Sequence, residues 1–551
     1  MKNNNKFRLD VWGFITLMVI LLYIVFMIYP MAYLIRQSVY DVETGTFTLQ
    51  FFQKFFSKSY YFDTLFNSFK ISIAATLLSL VLGTPLAYLF AIYKIKGKSL
   101  LSVLIIVASM SAPFIGAYSW ILLLGRSGVV TTFLKGLGLI IPDIYGFGGI
   151  VLVMTLQLFP LVFLYVRGAL KNIDNSLIEA AGNLGCSGLK CFFKVGIPLV
   201  MPTLLAAALL VFMRAFADFG TPMLIGEGYR TFPVILYTEF INEVGGNDGF
   251  AAAIAVIAIV ITTIVFLVQK YISNKKSFSL NALHPMEGKE PKGIVKVLVY
   301  IFSYLLVGIA VLPQCYVMYT SFKSTEGKIF VPGYSLESYV TAFGKLGKSI
   351  QNTIIIPLIA LVVIVLLAIL IAYLVVRRRN MLTNVVDILS MIPYIVPGTV
   401  LGIALLIGFN KPPLLISGTM LIMVIALVIR RLPYTIRSSV AILQQIPMSI
   451  EEAAISLGAT KMKSFFKITV PMMTAGIVSG AILSWVTMIS ELSTAIILYT
   501  GQTKTLTIAV YTEVIRGNYG TAAALSTILT VLTVLSLLAF NKINGGKDLS
   551  L

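Results

Sequence analysis

Two carboxylates stand inside long apolar segments of this chain, and their positions could serve ion chemistry. Asp218 and Glu491 lie 273 positions apart, each near the outer end of a hydrophobic stretch. Carboxylates inside a membrane are costly and usually face a cavity or a partner, and a pair of them on one path would suit a hard cation. Arg214 stands four residues before Asp218, so an ion pair within one helix explains Asp218 equally well. Glu491 has Thr487 at that position, which favours a role in a path or gate.

A polar segment recurs at the same spacing. Residues 176–198 and 449–471 share 11 identities in 23 positions without a gap. Each copy contains a Glu-Ala-Ala sequence and a later glycine, namely Glu179, Ala180, Ala181 and Gly185 in the first and Glu452, Ala453, Ala454 and Gly458 in the second. A serine three residues before each glutamate predicts a capping box at a helix start, and each glycine suits a left-handed cap at its end. Capping alone could account for the glutamates. The recurring alanines favour two matched docking surfaces.

Long apolar stretches must position these residues. Apolar residues make up 58% of the chain and charged residues 12%, with a mean hydropathy of +0.94. An ordinary soluble domain has about 25% charged residues. The sequence therefore predicts an all-α polytopic membrane protein. With roughly 20 apolar residues per span, we expect about 12 transmembrane helices, at 11–35, 67–93, 100–124, 149–170, 200–226, 251–272, 294–320, 351–376, 383–408, 414–432, 472–499 and 521–541.

The distribution of charge predicts the orientation. Lys and Arg are concentrated at both chain ends, in the two repeated loops and in the polar segments on the same side of the predicted spans. Because short cytosolic loops carry an excess of Lys and Arg, we expect both termini and both loops in the cytosol. The net charge of +20 is then a property of membrane-flanking loops, and nucleic-acid binding is not expected.

The repeat extends beyond the loops and divides the chain in two. Asn67-Ser68 matches Asn352-Thr353, and Tyr237-Thr-Glu239 matches Tyr511-Thr-Glu513. We expect a first half at 1–272 with its loop at 171–198, a cytosolic linker at 273–293, and a second half at 294–551 with its loop at 437–471. Six spans in each half would give two parallel repeats, related by a pseudo-two-fold axis along the membrane normal.

The repeated loop resembles the E-A-A-x-x-x-G motif of permease subunits of binding-protein-dependent ABC importers. Both copies fit, and each is followed by Phe-Phe-Lys and a proline. The undivided double-length chain resembles the fused ferric-iron permeases, as do the segments 217–221 (Ala-Asp-Phe-Gly-Thr) and 491–494 (Glu-Leu-Ser-Thr). In that family the loop helix sits in a cleft of the ATPase subunit and transmits its closure to the spans.

The resemblance also implies the partners. The sequence has no G-x-x-x-x-G-K-[ST] motif that could cradle ATP phosphates. ATP is therefore expected to be used by a separate ATPase, and two loops imply two copies of it. An extracytoplasmic solute-binding protein and the lipid bilayer of a bacterial cytoplasmic membrane complete the expected partners. We expect no catalytic residue, no resident metal and no cofactor in this chain, which would be a transport component and not an enzyme.

Ferric iron is the expected substrate, and alternatives remain. The same architecture serves importers of 2-aminoethylphosphonate, thiamine, polyamines or sulfate, and the binding protein largely determines the choice. A secondary transporter of the major facilitator type would also have two sets of six spans. That family carries a G-x-x-x-D-x-x-G-R-R type loop after its second span, where this chain has only Tyr-Lys-Ile-Lys-Gly-Lys at 93–98, and it has no reason to repeat the Glu-Ala-Ala loop.

Overall fold

A computed structural model describes residues 10–41, 45–110, 113–139, 141–171, 173–186, 188–241, 248–275 and 288–543. The N-terminal half (1–272 in the predicted division) contains α1 (Val11–Tyr23), α2 (Tyr29–Val39), α3 (Gln50–Ser57), α4 (Ser59–Ile92), α5 (Lys98–Met110), α6 (Pro113–Leu124), α7 (Val129–Gly136), α8 (Phe147–Lys171), α9 (Asn175–Asn183), α10 (Gly188–Cys191), α11 (Ile197–Phe216), α12 (Gly220–Ile225), α13 (Phe232–Ile241) and α14 (Asp248–Lys275).

The C-terminal half (294–551) adds one small hairpin to a second set of helices. Its elements are α15 (Gly293–Thr320), β1 (Lys323–Glu326), β2 (Ile329–Tyr334), α16 (Glu337–Arg377), α17 (Met381–Leu389), α18 (Ile392–Ile395), α19 (Gly398–Gly408), α20 (Met420–Gln445), α21 (Ser449–Ser456), α22 (Lys461–Ser464), α23 (Val470–Met472), α24 (Thr474–Ile489), α25 (Ala495–Leu498), α26 (Leu506–Arg516) and α27 (Tyr519–Ile543). Strands β1 and β2 pair antiparallel. The fold is all-α as predicted, apart from this hairpin.

Fewer helices qualify as membrane spans than the twelve expected. Among the described residues, nine are long and apolar enough to cross a membrane, or up to eleven if each of two bent pairs counts as one span. Helix α20, which covers most of the predicted tenth span, is 26 residues long but carries Arg430, Arg431 and Arg437. It is not among the eleven. The predicted third span is divided between α5 and α6.

Each of the two bent pairs contains a break in the helix that averaged hydropathy does not detect. Helices α17 and α18 meet α19 at 111°, and the segment Lys461–Met472 meets α24 at 65°. At the first break Val396 is extended, with φ −80° and ψ 122°. It precedes Pro397, and a residue before proline is driven out of the helical region by steric clash. The predicted ninth span, 383–408, is therefore not one straight helix.

The first helix of each half packs against the other half. Trp12 of α1 lies with its ring centroid 4.5 Å from that of Tyr373 in α16 and 5.0 Å from that of Phe465. In the opposite direction, buried residues of α15 join the apolar cluster built by α4, α5, α6, α8 and α11. Tyr304 of α15 donates its hydroxyl to the Lys96 carbonyl at 2.6 Å. The halves are thus interleaved.

The predicted linker is only partly described. Residues 276–287 lie outside the described residues, and α14 continues to Lys275. Beyond them, the Lys289 N–H donates to the Ile92 carbonyl at 2.7 Å, and the Lys94 N–H donates to the Lys289 carbonyl at 3.0 Å. This backbone pairing fastens the chain before α15 to the end of α4. The domain limits at 272 and 294, and the two-fold relation between halves, stay predictions.

Candidate functional site

The two repeated loops form short helices that end in the same way. Helix α9 is followed by Gly185 at φ +76° and helix α21 by Gly458 at φ +90°. The Cys186 N–H donates to the Ala181 carbonyl at 2.9 Å, and the Ala459 N–H donates to the Ala454 carbonyl at 3.0 Å. These six-to-one bonds with a left-handed glycine define a Schellman cap. The glycine caps predicted from the sequence are confirmed in both loops.

The predicted capping box is wrong in the second loop, and in the first loop another residue caps the helix start. Helix α9 begins at Asn175, before Ser176, and the Ser176 N–H donates to Asp174 Oδ1 at 3.0 Å, so Asp174 caps this helix. Helix α21 begins at Ser449 itself, after Met448, and has no side-chain cap. A serine inside the first turn cannot act as the N-cap, because the N-cap residue precedes that turn. The side chain of Glu179 lies outside the described residues, while that of Glu452 is exposed.

Both loops present apolar side chains to the surroundings at matching positions. Leu184 is 87% exposed and Leu457 89%, and Phe193 and Phe466 are each 61% exposed. Ala180 and Ala453 are also exposed, whereas Ala181 is half-buried and Ala454 is buried. A single exposed leucine is ordinary on a protein surface. Two pairs with equal exposure at a constant spacing of 273 residues form a matched surface, which we call the loop faces.

A π-helical turn lies C-terminal to each loop helix and contains the exposed phenylalanine of that loop face. Residues Phe192–Gly196 and Phe465–Thr469 adopt this geometry at equivalent positions, and each leads into the helix that re-enters the apolar region. The turn buries Phe192 and Phe465 while leaving the next phenylalanine exposed. Such turns are rare and occur mainly at functional sites. The exposed phenylalanine of each loop face is therefore continuous in the chain with the helix that follows.

Glu451 anchors the second loop, although the sequence analysis passed over it. Its Oε1 lies 2.9 Å from Arg377 Nε, with both side chains buried, and its Oε2 accepts the Tyr373 hydroxyl at 3.2 Å. Arg377 Nη2 also donates to the Ile446 carbonyl at 2.7 Å. The doubled Glu-Glu of the second loop was the available signal, because the first loop has Ile-Glu there. One glutamate is buried and paired, and the other faces outward.

Asp218 and Glu491 both lie where a long helix breaks before a short one. Asp218 follows α11 and its Oδ1 accepts the Gly220 N–H at 3.0 Å. Glu491 follows α24 and its Oε1 accepts the Thr494 N–H at 3.1 Å. The first N–H groups of a helix have no partner within it. Asp218 therefore accepts a hydrogen bond from a backbone N–H at the start of α12, and Glu491 accepts one from the turn that leads to α25. Both carboxylates have the same structural role.

The ion pair between Arg214 and Asp218, one of the two interpretations that the sequence left open, does not form among the described residues. Arg214 is exposed in the last turn of α11, and among the described residues it forms no hydrogen bond or ion pair. Asp218 lies beyond the end of that helix, so the i to i+4 spacing no longer brings the two side chains together.

Glu491 is paired with cations that are distant in sequence. Its Oε2 lies 3.0 Å from Arg430 Nε and also forms an ion pair with Arg431 Nη2. Arg430 Nη1 donates to Thr494 Oγ1 at 3.3 Å. Gly398 allows this arrangement, because a Cβ there would overlap the Arg430 guanidinium. The carboxylate oxygens are therefore engaged by protein donors. Two adjacent arginines inside a predicted span were the sequence signal for this cluster.

The two halves contact each other around the breaks that follow α11 and α24. Tyr118 donates its hydroxyl to the Tyr519 carbonyl at 2.6 Å. The Phe219 and Tyr511 rings lie 6.1 Å apart between centroids, and a Cβ on Gly220 would meet Leu492 at 3.6 Å. Within the part of the chain that the structure describes, no group of three His, Cys, Asp or Glu residues could hold a metal ion.

Comparison with known proteins agrees with this architecture. The sequence profile described as "binding-protein-dependent transport system inner membrane component" matches twice, at residues 70–278 and 364–545. The ferric transport system permease protein FbpB of Actinobacillus pleuropneumoniae is 28% identical over 96% of this chain and 78% of its own length. The putative ferric transport system permease protein FbpB 1 of Haemophilus influenzae is 28% identical over 89% and 78%.

A single-length relative aligns with only part of the chain. The molybdenum transport system permease protein ModB of Haemophilus influenzae is 31% identical over 38% of this chain and 91% of its own length. Together with the double profile match, this is consistent with a fusion of two permease units in one polypeptide. Its many long apolar helices make it a multi-pass membrane protein. The chain belongs to the family of binding-protein-dependent transport system inner membrane components, the permeases of ABC importers.

Proposed function

We propose that this chain is the permease of an importer that passes ferric iron from an extracytoplasmic binding protein to the cytosol. The substrate is inferred from the two double-length relatives named for ferric transport, which align with most of the chain. The observation that carries the coupling mechanism is the pair of loop faces, with Leu184 and Leu457 almost fully exposed at equivalent positions. Burial of such apolar side chains by a partner removes apolar surface from water and is therefore favourable.

Two ATPase copies are the partners that fit the loop faces. Each would receive one short helix, carrying Glu179, Ala180 and Ala181 or Glu452, Ala453 and Ala454, with the small alanines allowing close approach. The left-handed glycines, Gly185 and Gly458, fix the direction in which the chain leaves each helix. ATP would be bound and hydrolysed by those partners, and this chain would need no cofactor of its own. The outer surface would receive the solute-binding protein.

Alternating access follows from the way the loops are joined to the spans. Closure of the ATPase pair would draw the two loop helices together. The second loop would transmit this movement to α16 through the buried Arg377–Glu451 pair, and each π-helical turn would transmit it to the span behind. The contacts between Tyr118 and Tyr519 and between Phe219 and Tyr511 would then break. The end of the molecule remote from the loops would open as a result. Hydrolysis would restore the closed outer gate.

Asp218, Glu491 and Arg214 belong to this gate in our proposal. The two carboxylates cap the helix breaks from which the short gate helices α12 and α25 project. We assign them to holding and moving the gate, since their oxygens are already bonded to backbone N–H groups or to arginine. The excess of Lys and Arg on the loops favours an orientation with both chain termini in the cytosol, and the family description as an inner membrane component supports a bacterial cytoplasmic membrane.

Uptake of labelled ferric iron at limiting concentration tests the substrate. Cells with and without this chain would be compared, with labelled 2-aminoethylphosphonate, thiamine and spermidine run in parallel. Loss of iron uptake alone on deletion supports the proposal. Loss of another substrate alone, with iron unaffected, would replace iron while leaving the coupling argument in place. Iron uptake that survives deletion of the partner ATPase would contradict the ABC mechanism itself.

A further inference from the structure

Two segments that are distant in the sequence bring lysines together at one end of the molecule. The segments are 93–98, which follows α4, and 288–296, which leads into α15. The Lys94 N–H donates to the Lys289 carbonyl at 3.0 Å, and this bond aligns the two segments. We call their six lysines the lysine patch, which consists of Lys94, Lys96, Lys98, Lys289, Lys292 and Lys296.

The lysine patch lies at the end of the molecule that carries the repeated loops. Tyr88, in the last turns of α4, has its ring centroid 4.6 Å from that of Phe192 in the π-helical turn of the first loop. A Cβ on Gly196, at the end of that turn, would approach the same tyrosine ring to 2.9 Å. Lys94 follows closely, because α4 ends at Ile92. In the orientation expected from the charge distribution, the patch therefore lies beside the anionic headgroups of the cytosolic leaflet.

Hydrogen bonds from two tyrosines of α15 hold the turn after α4 in place. The Lys96 N–H donates to the Tyr300 hydroxyl at 3.0 Å, and the Tyr304 hydroxyl donates to the Lys96 carbonyl at 2.6 Å. The two tyrosine rings are stacked with their centroids 5.9 Å apart. Gly97 has φ +66° and allows the tight turn between Lys96 and Lys98. The lysines are thus attached to a backbone that is held in place without their own side chains.

The positive charge of the lysine patch is not balanced within the described residues. Glu290 is the one acidic residue in the two segments, and none of the six lysines forms an ion pair in the part of the chain that the structure describes. Arg167 adds to this charge, because its Nη1 donates to Ser102 Oγ at 2.8 Å and that hydroxyl donates to the Lys98 carbonyl at 2.7 Å. Burial and the positive charges of Arg167 and Lys171 lower the pKa of Lys98. Positive charges held close together in this way favour the binding of an anion.

Exposed apolar side chains continue from the lysine patch along two helices that pack together. Helices α5 and α15 contribute buried residues to the same apolar cluster. In α5, Leu100 and Val103 are exposed directly after Lys98. In α15, the exposed apolar residues around Lys296 are Ile294, Val295, Val297, Leu298 and Ile301. A positive patch bordered by exposed apolar helix surface matches the two parts of a phospholipid, its anionic headgroup and its acyl chains.

We propose that the lysine patch binds the headgroup of an anionic phospholipid, whose acyl chains lie along α5 and α15. Basic pockets between transmembrane helices on the cytosolic side bind anionic headgroups. A lysine ammonium is a flexible point charge that suits a phosphate, and its methylene stem can lie along apolar surface. Because the patch joins the end of α4 to the start of α15, the bound lipid stabilises a contact between the two halves. The site is independent of which solute the permease carries.

Titration of the purified full chain with lipid tests the site. The chain would be kept in a neutral detergent, and its thermal unfolding midpoint would be measured against phosphatidylglycerol, with net-neutral phosphatidylcholine as reference. In wild type, phosphatidylglycerol should raise the midpoint and phosphatidylcholine should raise it much less. In the triple variant Lys94→Gln/Lys96→Gln/Lys289→Gln, the half-maximal concentration of phosphatidylglycerol should increase about tenfold. The backbone hydrogen bonds of these three residues do not depend on the side chains that are replaced.

Two further triple variants are the controls. Lys461→Gln/Lys463→Gln/Lys467→Gln removes the same number of exposed charges from the second loop and should respond to phosphatidylglycerol as wild type does. Lys94→Arg/Lys96→Arg/Lys289→Arg keeps the charge of the patch and should keep most of the response. Equal responses of wild type to the two lipids would overturn the site. An equal loss of response in the two glutamine variants would overturn it as well.

Two more measurements distinguish a lipid from a free anion and from an effect on folding. Glycerol phosphate carries the headgroup charge without acyl chains, and at the concentrations at which phosphatidylglycerol acts it should leave the midpoint unchanged. An equal response to glycerol phosphate would assign the patch to a soluble phosphate compound and overturn the lipid. Mass spectrometry would also count the phosphatidylglycerol molecules that stay bound to each chain after detergent washing, a count that needs no unfolding. Fewer molecules on the patch glutamine variant than on wild type support the site, and equal numbers contradict it.

Discussion

Arg377 and Glu451 form a buried ion pair, 2.9 Å between Nε and Oε1, that joins the end of α16 to the second loop helix. The first loop cannot form the same pair at the matching positions, because Ile92 stands where the second half has Arg377 and Ile178 stands where it has Glu451. The two loops therefore share their outward faces and differ in how they are fastened from behind.

Replacing Glu451 with Gln should destabilise the chain and weaken coupling. Removing one partner of a buried pair leaves the other charge uncompensated, at a cost of about 3–5 kcal/mol. We expect a lower unfolding midpoint in nanodiscs and less transport per ATP hydrolysed. Glu452→Gln is the matched control for stability, because that neighbouring side chain is exposed. Equal midpoints for the two variants would mean that the pair contributes nothing.

Replacing Gly185 or Gly458 with Val should uncouple ATP hydrolysis from uptake. Both glycines have φ near +80°, where a β-branched residue is strained by about 1–2 kcal/mol. The loop helix would then lose its cap and its exit direction. Asn tolerates the left-handed region, so Gly185→Asn and Gly458→Asn should retain most coupling. Normal transport per ATP in both valine variants would count against the docking assignment.

Replacing Glu491 with Gln should reduce uptake and stability while leaving ATPase docking intact. Arg430 and Arg431 would face each other without their shared carboxylate, and breaking a buried pair costs about 3–5 kcal/mol. Docking can be followed by co-purification with the ATPase. Asp218→Asn is the matched comparison, because the amide oxygen can still accept the Gly220 N–H. If Glu491→Gln transports like wild type, the charge of Glu491 has no part in the gate.

Replacing Gly398 with Ala should displace Arg430. A Cβ at this position would overlap the guanidinium and approach Thr494 Oγ1 to 2.8 Å, and overpacking of this kind costs about 1–3 kcal/mol. Uptake and the unfolding midpoint should both fall. Gly116→Ala is the control, since its nearest non-local atom would be 4.0 Å away, on Val153. Indistinguishable behaviour of the two variants would exclude a tight Gly398–Arg430 contact.

Local sequence signals predicted local features well. The apolar composition predicted the all-α membrane fold, and the positions of Gly185 and Gly458 predicted the left-handed caps, because one residue's conformational preference decides each cap. The helix starts were predicted less well. Asp174 and Ser176 are both residue types that are favoured at a helix N-cap. The sequence alone does not decide which of the two precedes the first turn of α9.

Features that depend on tertiary contacts could not be predicted from the sequence. Glu491 finds its partners 60 and 61 positions earlier in the chain, so spacing within its own helix indicated nothing about them. Arg214 and Asp218 have the spacing of an ion pair, but α11 ends at Phe216 and separates them. The count of twelve spans is not confirmed at α20, and the ninth predicted span is bent before α19. Averaged hydropathy detects neither a proline break nor the pairing that allows arginines in a span.

The interleaving of α1 and α15 sets an order for biosynthesis. Trp12 leaves the ribosome long before Tyr373 and Phe465, the two rings against which it packs. The faces of α5 and α6 that α15 covers are likewise complete before α15 exists. Until the second half is inserted, each surface is covered by lipid or by a helper protein. A polypeptide that ended in the linker would therefore be an incomplete half, with Trp12 lacking its aromatic contacts and the α15 site empty.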